Sequence, residues 1–365
     1  MIEGYRDERI IIKKEETDMI VPPKKKKQLT KIDILKKLSP GTGLRDGLND
    51  IVKGNLGAII LVSNLNSLNV FDGGFKVNCG FSAKKLAELA KLDGGIVLSE
   101  DFKKILYVNT LFVPERGLIS SETGTRHQAA ERTAKQTGAI VIAVSERKGT
   151  ITVYFEDSRY VLQNTEDLLR RTTETLQILE KQRGVFDELL INLNVLEITN
   201  LISIADICTI LQRLEMIRKM AKIINEYIVE LGKEGIIVRM RMREVIQDID
   251  KKRELIINDY LQNPGRVKQF FDNLSFDKLL DSENLAYLLF NSSSEVKIIP
   301  KGYRILSKTK LGDDEINNLV NNFINLDKIL NAEEIDLEKV LGDRVKGFKE
   351  ELSKVREQIM VGKKI

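Results

Sequence analysis

The sequence predicts an α/β domain followed by an all-helical half, and three observations carry that reading. Between residues 30 and 163, short runs of branched apolar residues alternate with helical patterns. Beyond about residue 165, apolar residues recur at three- and four-residue steps, with glycine and proline scarce until Asn263-Pro264-Gly265. From about residue 298, short helical stretches are separated by Gly302, Gly312, Gly342 and Gly347, which suggests a small helical C-terminal domain. A chain of 365 residues suffices for two or three domains, each with its own core.

Taken in order, residues 1–28 mix charges without a period and pass through Pro22-Pro23 into Lys24 to Lys27. That composition reads as a mobile arm or solvated linker, and a lysine run also has the chemistry to touch nucleic acid. Ile32 to Leu38 has helical spacing, and Leu56 to Val62 is a buried-strand run. Asp72-Gly73-Gly74-Phe75 turns the chain into an extended Lys76 to Phe81. Ser82 then caps a helix through Lys91, with Leu86, Leu89 and Ala90 inward. Gly95 to Leu98 and Ile105 to Val113 are strand-like. Leu118 to Thr123 loops toward a helix over 127–137 whose start falls at Gly124 and Thr125, with Ala129, Ala130, Ala134 and Thr137 available for packing. Ala139 to Val144 is a further buried strand, and Ile151 to Phe155 pairs with Arg159 to Leu162 around Glu156-Asp157-Ser158. Because the alternation is irregular, a mixed sheet covered by helices fits better than a doubly wound one.

The stripes Leu169, Leu176, Leu179, Phe186, Leu190, Leu193 and Ile210, Leu214, Ile217, Ala221, Ile224, Ile228 are the core of a helical spine. The expected boundaries are an arm over 1–28, an α/β domain over 29–163, a spine over 164–296 and a small helical domain over 297–365.

A net charge of +4 excludes a polyanion-binding chain in the gross sense, so any nucleic-acid contact must be local. Cys79 and Cys208 lack zinc or disulfide spacing, which suits a reducing compartment. No apolar stretch approaches the roughly 20 residues of a membrane span, and Met1 to Arg6 has no apolar signal region. A soluble, cytoplasmic protein without membrane contact is expected.

Two segments carry candidate chemistry. Asp93-Gly94-Gly95 puts a carboxylate at the mouth of a strand, with glycines that let a ligand approach the backbone. A solvated β-turn is the competing reading. Gly124-Thr125-Arg126-His127 opens a helix, where unpaired N–H groups and the dipole favour an anion beside a hydroxyl, a forked cation and the chain's single histidine. A structural histidine and a surface arginine are the plain alternatives. Glu131 and Arg132 are read as pairing with neighbours on the helix surface. Ser145-Glu146, just past a strand, adds a hydroxyl at a strand's carboxyl end or simply begins a polar turn.

In combination these segments resemble the diadenylate cyclase family, in its DNA-integrity-scanning form. The resemblance also runs through Leu38-Ser39-Pro40-Gly41-Thr42-Gly43-Leu44-Arg45-Asp46-Gly47-Leu48, Gly73 to Cys79 and Glu131 to Gly138. It is dense over about 30–163 and architectural beyond. It implies condensation of two ATP into cyclic di-AMP with release of two pyrophosphates, each 3′-hydroxyl attacking the other nucleotide's α-phosphate. One protomer would hold one ATP, so two sites must face each other in a homo-oligomer, an octamer in the family. Asp93 would bind Mg²⁺ or Mn²⁺, Gly94 would lie against the nucleotide, and Thr125, Arg126, His127 and Ser145 would hold phosphates. By the same resemblance the C-terminal domain would be helix-hairpin-helix-like and would bind branched DNA.

The chain departs from that pattern in four places. Gly95 replaces an alanine, a change expected to be sterically mild. Gln128 and Ala129 stand where an arginine and a threonine belong. A charged phosphate contact is worth about 1.5–3 kcal/mol, so its loss predicts a cyclase slowed on the order of ten- to a hundredfold. The rival expectation is a catalytically inactive nucleotide-binding or DNA-sensing scaffold. In the C-terminal domain the turns Lys310-Leu311-Gly312-Asp313-Asp314 and Val340-Leu341-Gly342-Asp343-Arg344 keep one glycine each and set aspartates where a phosphate would be repelled.

Overall fold

Alternation along the buried strands decides the architecture. The computed structural model describes residues 30–62 and 69–363; the arm expected over 1–28 lies outside the described residues. Helices α1 (Lys31–Leu38) and α2 (Gly43–Lys53) precede strand β1 (Ala58–Val62). There follow β2 (Phe71–Asp72), β3 (Phe75–Gly80), α3 (Ala83–Leu89), β4 (Gly95–Leu98), β5 (Lys104–Phe112), α4 (Thr125–Thr137), β6 (Val141–Ser145), β7 (Thr150–Phe155) and β8 (Ser158–Val161).

These strands form one eight-stranded sheet in the order β2-β5-β4-β1-β6-β7-β8, with β3 also on β5. Only β1 and β4 pair in parallel, so the expected mixed sheet is what forms. Successive side chains leave opposite faces. Ile60 and Val62 join Leu35, Leu48, Ile51 and Leu86 in a core under α1, α2 and α3. Ile59 and Leu61 join Ala130, Ala134 and Ala143 under α4. Both faces are therefore covered, which is why β1, β4 and β6 read as unbroken apolar runs.

Helix α2 lies in a segment that the sequence marked only by likeness, because Gly43 and Gly47 weaken helical propensity. Thr42 caps it by accepting from the Arg45 amide. Gly47 is small for a reason: a Cβ there would sit 3.2 Å from the Ala83 backbone, so the glycine lets α2 and α3 touch.

The second half is helical throughout: α5 (Thr165–Thr199), α6 (Ile204–Leu231), α7 (Ile236–Val245), α8 (Ile249–Tyr260), α9 (Pro264–Asn273), α10 (Phe276–Leu279), α11 (Ser282–Phe290), α12 (Tyr303–Leu306), α13 (Asp313–Phe323), α14 (Leu326–Leu330), α15 (Glu334–Leu341) and α16 (Val345–Met360). At 35 residues α5 is about 52 Å long. Its apolar stripe and that of α6 close one core, from Leu176 to Leu193 and from Ile207 to Ile228. A second core gathers α12 to α16, with Ile198 of α5 reaching into it. Gly347 does not separate helices as expected; it lies inside α16, with nothing near its Cβ position. Buried Glu230 of α6 ties the sheet to the spine, accepting from Tyr160 Oη at 2.5 Å and from the Gln163 amide at 3.0 Å. Among the described residues no helix is long and apolar enough to cross a membrane.

Candidate functional site

Strand register brings the candidate residues together. Ile59 stands opposite both Gly95 of β4 and Ala143 of β6, and Ala58 opposite Val144. The starts of β1 and β4 and the end of β6 therefore share one edge of the sheet, with neighbouring strands about 4.8 Å apart. That edge holds Asp93 and Gly94 on one side of Gly57 and Ser145 on the other.

Helix α4 meets the same edge. A Cβ built on Gly57 would fall 1.9 Å from Arg126 Nη1, so the guanidinium occupies space that only glycine leaves open. Thr125 and Arg126 are exposed at the first turn of α4, whose N-cap, Gly124, offers no side-chain hydrogen bond. The first-turn amides thus stay open to an anion. Gly138, at φ +62°, ends the helix. The structure groups Asp93, Gly94, Arg126 and Ser145 at this edge, and Thr125 and His127 flank Arg126 in α4.

Gly94 has φ +95°, and its Cβ would lie 2.9 Å from the Thr110 carbonyl oxygen and the Asn109 carbonyl carbon, so glycine is required there. A Cβ at 95 would meet Phe112 Cζ at 2.8 Å, so in this chain alanine fits only if that ring moves. The Asp93 carboxylate is exposed and makes no hydrogen bond or ion pair among the described residues. No cluster of three metal-ligating side chains occurs among those residues. A lone hard carboxylate suits a magnesium-type ion completed by substrate phosphates and water, and does not suit a protein-built cage. Ser145 Oγ accepts from the Lys148 amide at 3.4 Å, a weak turn contact that leaves its own proton free.

His127 is held by a chain that the sequence did not reveal. Its Nδ1 is 2.8 Å from Tyr154 Oη, and Tyr154 Oη donates to Glu122 Oε1 at 2.8 Å, which also accepts from Arg159 Nε. Burial raises the Glu122 carboxyl, but the bonds from Tyr154 and Arg159 outweigh it and hold the group below its usual range. Since ionised Glu122 takes the one Tyr154 proton, His127 must donate from Nδ1, and this network assigns the tautomer. Burial keeps the imidazole below its ordinary pKa, against the pull of Glu122. Neutral His127 thus presents a bare Nε2; a phosphate beside it would draw a proton onto that nitrogen.

The neighbours of His127 act on the preceding loop. Gln128 Nε2 donates to the Glu122 carbonyl at 2.7 Å. Glu131 does pair with Lys135, but it is buried and not a surface residue, and it also accepts from Ser120 Oγ at 2.6 Å and from the Ser121 amide. Arg132 Nε donates to the Leu118 carbonyl. These three residues clamp the loop that delivers Glu122. A sequence signal existed only for the loop; Tyr154, Arg159 and Gly57 are brought in by tertiary folding.

The chain aligns over 91% of its length, at 39% identity, with the DNA integrity scanning protein DisA of Clostridioides difficile (strain 630), covering 96% of that protein. The chain belongs to the DisA family. Residues 45–159 match the family described as DisA bacterial checkpoint controller nucleotide-binding, and residues 162–297 match the DisA bacterial checkpoint controller linker region. DisA of Clostridium acetobutylicum is 38% identical over 92% of this chain and 97% of its own length. DisA of Acetivibrio thermocellus is 38% identical over 90% and 95%.

In this DisA-family chain the first C-terminal turn is self-capped. Glu315 Oε2 accepts from the Gly312 amide at 2.8 Å, and both Glu315 oxygens take Arg344 Nη1 from the second turn at 2.8 Å. Asp313, Asp314 and Glu315 fill the first turn of α13. The Gly312 amide and the Arg344 guanidinium are both spent on Glu315.

Two substitutions test this geometry. Gly57→Ala should displace the Arg126 guanidinium, removing a charged contact worth about 1.5–3 kcal/mol, and ATP affinity should fall on the order of ten- to a hundredfold in calorimetry while the far-UV spectrum stays unchanged. Tyr154→Phe should free the imidazole tautomer; a roughly tenfold fall in kcat/KM with a moved acidic limb of the pH profile is expected, and an unmoved profile would refute the tautomer assignment.

Proposed function

We propose that this chain is a diadenylate cyclase, condensing two ATP into cyclic di-AMP and two pyrophosphates between facing protomers. The observation that carries the reading is the Arg126 guanidinium against Gly57 at the sheet edge shared by Asp93 and Ser145. Family membership supports it, the relatives being named for DNA integrity scanning and the matched domain for nucleotide binding. Thr125, Arg126 and the open amides of α4 bind phosphate oxygens, and Ser145 adds a hydroxyl donor. Gly94 lets the nucleotide lie against backbone. His127, taking up a solvent proton under the charge of the incoming phosphate, donates from Nε2. Mg²⁺ or Mn²⁺ held by Asp93 and the phosphates would neutralise charge and acidify the attacking 3′-hydroxyl. These roles amount to positioning and charge stabilisation, which phosphoryl transfer chiefly needs. Asp93, Thr125 and Arg126 are exposed on the single chain, which suits a site completed by a second copy, in an assembly such as an octamer.

Incubation of the full chain with ATP and Mn²⁺ tests the reading by chromatography of the product. No cyclic di-AMP above a protein-free blank sinks it, and product equal to that of an Asp93→Asn control removes only Asp93 from the chemistry. A second reading, a nucleotide-binding scaffold without turnover, is favoured by Gln128, whose amide nitrogen is bound to the Glu122 carbonyl where a phosphate-binding arginine is expected. It predicts ATP binding with no product. DNA sensing by the C-terminal helices is tested separately by gel shift of a four-way junction against linear duplex. The Glu315–Arg344 pairing predicts weak binding, strengthened in Glu315→Gln.

A further inference from the structure

Between α5, the start of α8 and α12 lies a cavity of about 240 Å³, remote from the sheet edge. Lys251, Lys252, Arg304 and Lys308 are among its lining residues, with Asn194 and two acids, Asp187 and Asp248, so cations outnumber acids in the wall. Asp187 is occupied, taking Arg183 Nε at 3.1 Å and Lys252 Nζ at 3.3 Å. Arg304 is buried and held by both oxygens of Glu197, at 2.8 and 2.9 Å. Glu197 in turn takes the Tyr260 hydroxyl, so its hydrogen bonds go to Arg304 and Tyr260.

Lys308 stands apart. Its ammonium, half-buried in the cavity wall, donates to Asn194 Oδ1 at 3.1 Å, an oxygen it shares with Arg304 Nη2. No carboxylate among the described residues bonds it. Burial, and then the repulsion of Arg304, pull it down to about 8, with the nearby charge of Glu197 only partly opposing them. A cation so placed costs stability unless a counter-charge arrives. The Lys251 side chain, exposed at the rim, adds a second positive group, and half-buried Ser307 adds a hydroxyl.

We propose that this cavity binds a small phosphate-class oxyanion, with Lys308 as its principal partner. The volume falls below the roughly 300 Å³ at which sites for drug-sized ligands begin, so the occupant is free phosphate or one phosphate group of a larger molecule whose remainder stays outside. The walls come from the spine on one side and from α12, the first C-terminal helix, on the other. A bound anion therefore pulls the C-terminal helices onto the spine.

The test is calorimetric titration of the full chain with inorganic phosphate, against chloride at matched ionic strength. One saturable site per chain is expected in Arg126→Ala, where the phosphate cradle at the sheet edge no longer contributes. Affinity should fall at least tenfold in Lys308→Met and stay unchanged in Lys310→Met, whose lysine is exposed and paired with Glu351 outside the cavity. Binding should persist in Arg126→Ala, which separates this site from the sheet edge. In that background, AMP binding as tightly as phosphate identifies a phosphate group of a nucleotide as the occupant, and phosphate alone binding identifies the free ion. Should Lys308→Met fail to fold, Lys251→Gln carries the same comparison with a several-fold loss expected. Absence of saturable heat, or equal affinity in the lysine variants and the parent, overturns the proposal.

Discussion

Replacing Asp93 with asparagine is expected to lower cyclic di-AMP synthesis by roughly 10²–10³-fold, the scale on which one preorganised electrostatic partner matters in a transition state. The substitution keeps size and shape and removes only charge. The carboxylate is exposed and bonded to none of the described residues, so folding stability should change by less than about 0.5 kcal/mol. Loss of turnover with an unaltered melting curve is thus the signature, read by steady-state product formation with Mn²⁺ at saturating ATP. ATP affinity measured without metal should hold, because Arg126 and the α4 amides remain. If the asparagine variant turns over as fast as the parent, Asp93 has no part in the chemistry. The scaffold alternative differs sharply: it predicts no product from either protein.

The second large effect concerns stability. Arg304→Ala is expected to cost about 3–5 kcal/mol, the range seen when one partner of a buried ion pair is removed. Glu197 is fully buried, with Arg304 as its bidentate cation, and Asn194 and Tyr260 complete the cluster. Asp259 belongs to the same cluster: its carboxylate accepts the amides of Gly302, Tyr303 and Arg304, which anchors the start of α12. Burial and the charge of Glu197 raise Asp259 to about 7, against the opposing pull of those amides and of Arg304. Removing Arg304 leaves two buried acids facing each other. Scanning calorimetry should show an early transition for the helical half, with the sheet transition little moved. A double variant with Glu197→Gln should recover part of the loss. An unshifted thermogram would mean that the cluster is not what docks the C-terminal helices.

Much of the architecture was legible because burial on both faces leaves a mark in one dimension. β1, β4 and β6 are unbroken apolar runs, and α5 and α6 carry the three- and four-residue stripes of a shared core. Helix α2 was not legible, since its glycines serve contact with α3 and lower its own propensity. At the site, Asp93-Gly94 and the opening of α4 were readable as local motifs, because a helix start and a positive-φ glycine are local requirements. Glu131 was misjudged as a surface pair because periodicity cannot tell that the chain doubles back over that face of α4.

By itself, then, the sequence determined which segments become strands and helices, and which short motifs could meet an anion or a metal. Only the tertiary structure decided that Gly57 is the bed for Arg126, that Tyr154 and Glu122 set the tautomer of His127, and that Gly95 yields its space to Phe112. The physical reason is the range of the forces involved. Propensity, capping and hydrophobic period act over a few residues and are written in order along the chain. Steric fit and hydrogen bonding act over a few ångströms between residues far apart in sequence, and take effect only once the sheet edge has formed.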